Sequence, residues 1–229
     1  MHQIVLFWGV AIAPLVQSKG QNLRQGLIIV TAKPAITQYP IHELLAQRWS
    51  PLAFSERPVE GEKIQRLLEA ARWAASCFNE QPWRFIVATR DHAEDYARLL
   101  SCLVEANQTW AGRAPLLMLT VASMHFQRNG NPNRHAYHDV GLAVGNLTAQ
   151  AMAMGLFVHQ MAGIEPEQAR EVYKIPEGYE VVTAIAIGYL GQSAELSASL
   201  QQREAAPRQR REFSEFVFAG EWGQASPLI

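Results

Sequence analysis

The chain has 229 residues, 48% apolar and 18% charged, with 20 basic residues against 21 acidic. This apolar share excludes a wholly disordered chain, and 15 Gly and 12 Pro without a period exclude a collagen-like one. A net charge of −1 gives no basic excess for a nucleic-acid partner. At roughly 150 residues per domain the length predicts one domain plus an appendage. The charged share lies below the usual ~25%, which points to surface withheld from water by a subunit interface or a large ligand. Cys77 and Cys102 cannot make a disulfide framework and lack metal-ligand spacing, so a reducing, cytoplasmic setting is expected.

Residues 1–18 (MHQIVLFWGVAIAPLVQS) carry no formal charge apart from His2 when protonated. The stretch is short of the ~20 apolar residues of a membrane span. It lacks the positive start of a secretory signal, and Pro14 disturbs a helix. It reads as a weak signal or anchor, as an extension packed on the body, or as residues upstream of the true start. The last two together are the expectation, with no membrane. Residues 19–40 read as a linker with one strand-like run, Leu27–Thr31. Residues 1–40 are therefore taken as an extension of uncertain role, and 41–229 as the organised domain with its C-terminal tail.

A helix is predicted over Ile41–Arg48, ending before Ser50-Pro51. Ile64, Leu67, Leu68 and Ala71 give Glu60–Ala75 an amphipathic helical period. Arg84–Thr89 reads as a strand, Ala93–Val104 as a helix, and Pro115–Ala122 as a strand buried on both faces. After the loop Asn129–Asn133 come a long helix (Ala136–Met154), a strand (Phe157–Met161), a helix (Glu167–Tyr173) and a buried strand (Val181–Ile187). The mixture lacks strict alternation, so the predicted class is α+β. On the long helix Gly141, Gly145 and Thr148 are expected along one face. Helical glycine costs about 0.5–1 kcal/mol against alanine, so two need a reason. The reason is either close packing within the chain, or a second subunit's helix or a flat cofactor laid against that face.

No G-x-G-x-x-G follows a strand, and neither a Walker A loop nor a G-x-S-x-G elbow occurs. His135, His138 and Asp139 lack the second cluster that a metal site needs, so no metal is expected. No side chain stands out as acid, base or nucleophile, and Cys77 reads as a small packed thiol. Three segments remain. Arg48-Trp49-Ser50-Pro51 sets an arginine and a hydroxyl at a bend, as suits a phosphate, or is a surface arginine beside a helix end. Ala75-Ser76-Cys77-Phe78-Asn79-Glu80-Gln81-Pro82-Trp83-Arg84-Phe85 is a polar loop entering a strand and suited to a planar polar ring, or a turn with Trp83 as core filler. Pro207–Arg211 is a solvated charge run or an anion-neutralising cluster before an aromatic tail.

In this order, with H-D-V-G-L-A-V-G-N-L, H-Q-M-A-G-I and A-I-G-Y-L-G between the second and third, the segments resemble the nitroreductase family of flavin enzymes, over Ile41 to about Gly223. The S-x-x-N-x-Q-P-W-R-F segment carries most of the resemblance. It implies an α+β fold with a central mixed or antiparallel sheet flanked by helices. It also implies a homodimer with FMN at the interface and two equivalent sites, each built from both subunits. Arg48, Trp49 and Ser50 then match the phosphate and ribityl segment, and Arg208 and Arg210 the phosphate-holding pair. Ser76, Cys77 and Asn79 match the loop beside the isoalloxazine ring, and Met161, Ala162 and Gly163 the segment whose amide approaches flavin N5.

Two departures stand out: Leu52, where family members often carry a second basic residue, and Cys77, where serine is common. The implied activity passes hydride from NADH or NADPH through FMN to a nitroaromatic, quinone or similar conjugated acceptor by a ping-pong mechanism. The chemistry is the flavin's. The alternatives are a flavin carrier or sensor without general reductase activity, and a specialised family member doing dehalogenation or flavin-ring chemistry. Ser123–Arg134 is the lid candidate, or a plain surface loop.

Overall fold

The computed structural model describes residues 33–229, and the expectations for residues 1–32 lie outside them. Among the described residues, four antiparallel strands form one sheet in the order β1-β2-β4-β3: β1 (Trp83–Thr89), β2 (Leu116–Ser123), β3 (Phe157–Met161) and β4 (Tyr179–Gly188). β2 is buried along its whole length, as its unbroken apolar run predicts. Its partner β4 slips register between Thr120 and Val121, where the Thr120 hydroxyl accepts the Thr183 N–H at 3.1 Å.

Seven helices surround the sheet among the described residues: α1 (Glu43–Gln47), α2 (Gly61–Arg72), α3 (Ala93–Ser101), α4 (Glu105–Ala111), α5 (Ala136–Ala153), α6 (Pro166–Tyr173) and α7 (Ala198–Ala205). α2 and α5 cover one face. Leu67, Ala71, Val140, Ala143, Val144 and Leu147 meet Leu116, Met118, Ile185 and Ile187 there. α3, α4 and α6 cover the other, where Leu99, Trp110 and Ala169 meet Leu117, Leu119, Ala184 and Ala186. The α+β class and the helix-flanked antiparallel sheet agree with the sequence. The helix expected over Ala93–Val104 stops at Ser101. The backbone then turns through Cys102, and Leu103 bridges to Ile164.

Trp83 is core filler, 8% exposed. Gly141, Gly145 and Thr148 follow one side of α5, as their spacing predicts; both glycines are exposed, whereas Thr148 is buried, its hydroxyl donating to the Val144 carbonyl at 2.7 Å. A Cβ placed on either glycine meets nothing within 4 Å, so packing inside the chain does not explain them.

Candidate functional site

α1 ends where Arg48 turns to extended backbone, and this bend delivers Arg48, Trp49 and Ser50 to the rim of a cavity of about 290 Å³. Lys33, Leu52, His159, Arg203, Glu204, Arg208 and Arg210 complete its lining. Five cations thus face one carboxylate. The Glu204 carboxylate is already engaged, accepting the Leu52 N–H at 2.7 Å. Burial first, then the Arg208 and Arg210 charges, push the Arg48 guanidinium below its ordinary value; burial and Arg210 do the same to Arg208. Like charges gathered on one cavity make it a candidate anion site. The cage is built by backbone acceptors. Arg208 donates to the Lys33 and Ala46 carbonyls at 2.7 and 2.9 Å, and Lys33 Nζ to the carbonyls of Glu204 and Ala206.

Leu52 is 2% exposed, so a basic residue there would be buried. Lys33, which sequence reading passed over, lies on the same wall. His159 was also missed. Its Nδ1 lies 2.7 Å from the Pro51 carbonyl and its ring packs on Trp110 at 4.4 Å. Burial, reinforced by Arg203, lowers its pKa, so the neutral ring donates through Nδ1–H. The alternation of Val158, His159 and Gln160 in a strand after an apolar helix was the available signal, because it turns His159 toward the α4 face.

The loop Ser76–Gln81 is built differently. Phe78, Asn79 and Gln81 have φ of 54°, 57° and 52°, in the left-handed region. Side chains hold it there: the Asp139 carboxylate accepts the Cys77 N–H at 3.0 Å, and the Ser76 hydroxyl accepts the Gln81 N–H at 3.0 Å. Asp139, noted in the sequence only beside two histidines, is thus the clamp of this loop; it is buried at 2% exposure. Cys77 is half-buried rather than packed in the core. The described residues contain no group of three or more His, Cys, Asp or Glu suited to a metal ion.

Met161 lies in the core, Ala162 is exposed and Gly163 is half-buried. The Gly163 carbonyl accepts from Val104 N–H at 3.2 Å and Asn107 Nδ2 at 2.9 Å. Among the described residues its own N–H has no backbone acceptor. A Cβ at Gly163 would stand 2.5 Å from Asn107 Nδ2 and 2.8 Å from Val104 Cγ2, so the glycine is a packing requirement here.

One chain gathers Arg48, Trp49, Ser50, Arg208 and Arg210, but not the loop. The loop enters β1 at one sheet edge, and His159 lies in β3 at the other, three strand spacings or ~14 Å across. α5 carries Asp139 in its first turn and hands the chain to β3 from its last, ~21 Å further along its axis.

An antiparallel α+β sheet thus carries a cationic cavity at one edge and a strained polar loop at the other. The nitroreductase family model matches residues 45–189, and the chain belongs to that family. A solved structure described as an oxidoreductase containing FMN is 34% identical, with a TM-score of 0.78, covering 82% of this chain and 95% of that one. The major NAD(P)H-flavin oxidoreductase of Aliivibrio fischeri is 26% identical over 77% of this chain and 96% of its own length. An uncharacterised 15.4 kDa protein of Mycolicibacterium smegmatis is 30% identical over 61% of this chain and 97% of its own. No described helix is long and apolar enough to cross a membrane.

Proposed function

We propose that the chain is an FMN-dependent oxidoreductase that takes hydride from NADH or NADPH and gives it to a nitroaromatic, quinone or similar conjugated acceptor. The observation that carries this is the cavity of about 290 Å³ lined by five cations and one engaged carboxylate, in a chain of the nitroreductase family. The flavin-binding relatives support the cofactor.

The residues fit the group. Arg48, Arg208 and Arg210, joined by Lys33 and Arg203, offer charge-assisted bonds to a dianionic phosphate. Trp49 and Ser50 line the same mouth toward the ribityl chain. Ser76, Cys77 and Asn79 would hold the isoalloxazine ring, in a loop pre-set by Asp139, so that its polar groups are ordered in advance. The segment Met161–Gly163 would hold the flavin's reactive edge, with the Gly163 N–H free of a backbone acceptor among the described residues and so able to donate to it. Because the loop and the anion cavity occupy opposite sheet edges, a homodimer completes each site, with the outward glycines of α5 in the contact. FMN, when bound, accepts two electrons as hydride and passes them on by a ping-pong sequence, donor and acceptor using the same face in turn. Residues 41–229 form the FMN-binding domain and 1–40 an extension. The two free cysteines fit a cytoplasmic setting.

Purified protein should be yellow, and anaerobic NADH or NADPH should bleach it. Protein that stays colourless after incubation with FMN refutes the proposal; bound FMN that neither nicotinamide reduces indicates a carrier or sensor instead.

A further inference from the structure

The segment joining β2 to α5 is a folded hairpin. His125 pairs with Pro132, the Phe126 N–H donates to the Asn131 carbonyl at 2.8 Å, and the Asn133 N–H donates to the Met124 carbonyl at 2.7 Å. The hairpin is fastened to the Ser76–Gln81 loop, because the Glu80 carboxylate accepts the Gln127 N–H at 2.7 Å.

This junction has an unusual centre. Left-handed backbone costs a residue other than glycine on the order of 1–3 kcal/mol, and three such residues lie within four positions. The outcome is an outward Phe78, 70% exposed. Its ring meets the edge of Phe126 at 5.9 Å. The guanidinium of Arg128 lies 3.9 Å from its ring centre and 5.4 Å from that of Phe126. Among the described residues Arg128 makes no ion pair. The Glu80 carboxylate of the adjoining loop is bound to the hairpin backbone. A guanidinium that rests on aromatic rings keeps its planar fork of N–H donors for another acceptor, and that fork matches a carboxylate.

We infer that Phe78 and Arg128 select the oxidised substrate: a planar conjugated acceptor bearing a carboxylate, its ring against the exposed Phe78 and its carboxylate on the Arg128 donors. The inference rests on the FMN reading above, because Cys77 and Asn79, the residues assigned there to the isoalloxazine ring, flank Phe78 in the chain. Phe78 and Arg128 set which acceptor is held, and the electrons still come from the nicotinamide through the flavin.

The test uses the FMN-loaded full chain with 4-nitrobenzoate and 4-nitrobenzamide, acceptors alike in size and conjugation but different by one charge. Flavin reduction by NADH or NADPH is measured separately in a stopped-flow apparatus. The wild type should prefer 4-nitrobenzoate, and added salt should erode the preference. Arg128→Gln should lower the ratio of the two kcat/KM values by about tenfold, chiefly through KM for 4-nitrobenzoate. Arg128→Lys, which keeps the charge and loses the planar fork, should fall between. An unchanged ratio, or an equal loss for both acceptors, with flavin content and flavin reduction normal, overturns the acceptor assignment alone. Flavin that is absent or not reduced removes the FMN reading, and this one with it.

Discussion

His159 shows how one buried ring ties the anion cavity to pH. Its folded pKa lies below the ordinary 6.5, so between the two values the unfolded chain binds more protons than the folded one. Its contribution to stability is complete above about pH 6.5 and is lost as pH falls through that range. Thermal unfolding from pH 7.5 to pH 5 should show a decline in Tm that is smaller in His159→Gln; parallel curves would show that His159 is not the source. The arginines act on binding instead. Arg208→Ala with Arg210→Ala should leave the fold intact and weaken FMN retention, since each charge-assisted bond contributes about 1.5–3 kcal/mol. Fluorescence titration with FMN reads this directly, and an unchanged Kd would contradict the assignment. Both arginines were legible because basic residues before an aromatic tail stand out in a chain with few charges. Lys33 and His159 were not, because a lysine in a linker and a histidine in an apolar strand carry no local mark of the cavity they share.

Elements that bury a wide apolar stripe were legible, and two helices without one, α4 and α7, were missed. α4 buries only Trp110 and Ala111, at its end, and α7 buries nothing, so neither has a stripe for a 3.6-residue period to mark. α7 does carry a start signal, Ser197, whose hydroxyl accepts the Leu200 N–H at 3.5 Å. On α5 the two outward glycines make a sharper prediction. Gly145→Ala meets no neighbour within 4 Å in the chain, so on propensity alone it should stabilise the helix by about 0.5–1 kcal/mol. Gly145→Leu should leave a folded monomer yet disrupt self-association, as sedimentation or light scattering would show. A Leu variant that remains as associated as the wild type would mean that this face contacts no second copy.

At the scale of the whole molecule, the extension proposed for residues 1–40 contributes Lys33 to the cavity wall. Lys33 offers its carbonyl to Arg208 and its ammonium to the cavity, and Tyr39 packs on Phe213 with ring centres 5.7 Å apart. Residues 33–39 thus brace the C-terminal segment that presents the arginines. A chain beginning at residue 33 should bind FMN like the full chain, whereas one beginning at residue 42 should bind it several-fold more weakly. Equal affinity of the two in a side-by-side titration would show that the brace is dispensable. The fold was legible because the strands and long helices carry their periods locally. A site shared between two subunits was expected from the family resemblance alone, because which motif meets which depends on sheet order, a long-range property that no local period carries.

That sheet order also has a thermodynamic consequence. With the cationic cavity and the Ser76–Gln81 loop at opposite edges, the proposed function has the monomer offer the cofactor one handhold and the proposed dimer two. Ligand occupancy and association are then linked by mass action. The apparent flavin affinity should fall as the protein itself is diluted, and flavin should hold the pair together at concentrations where the apoprotein dissociates.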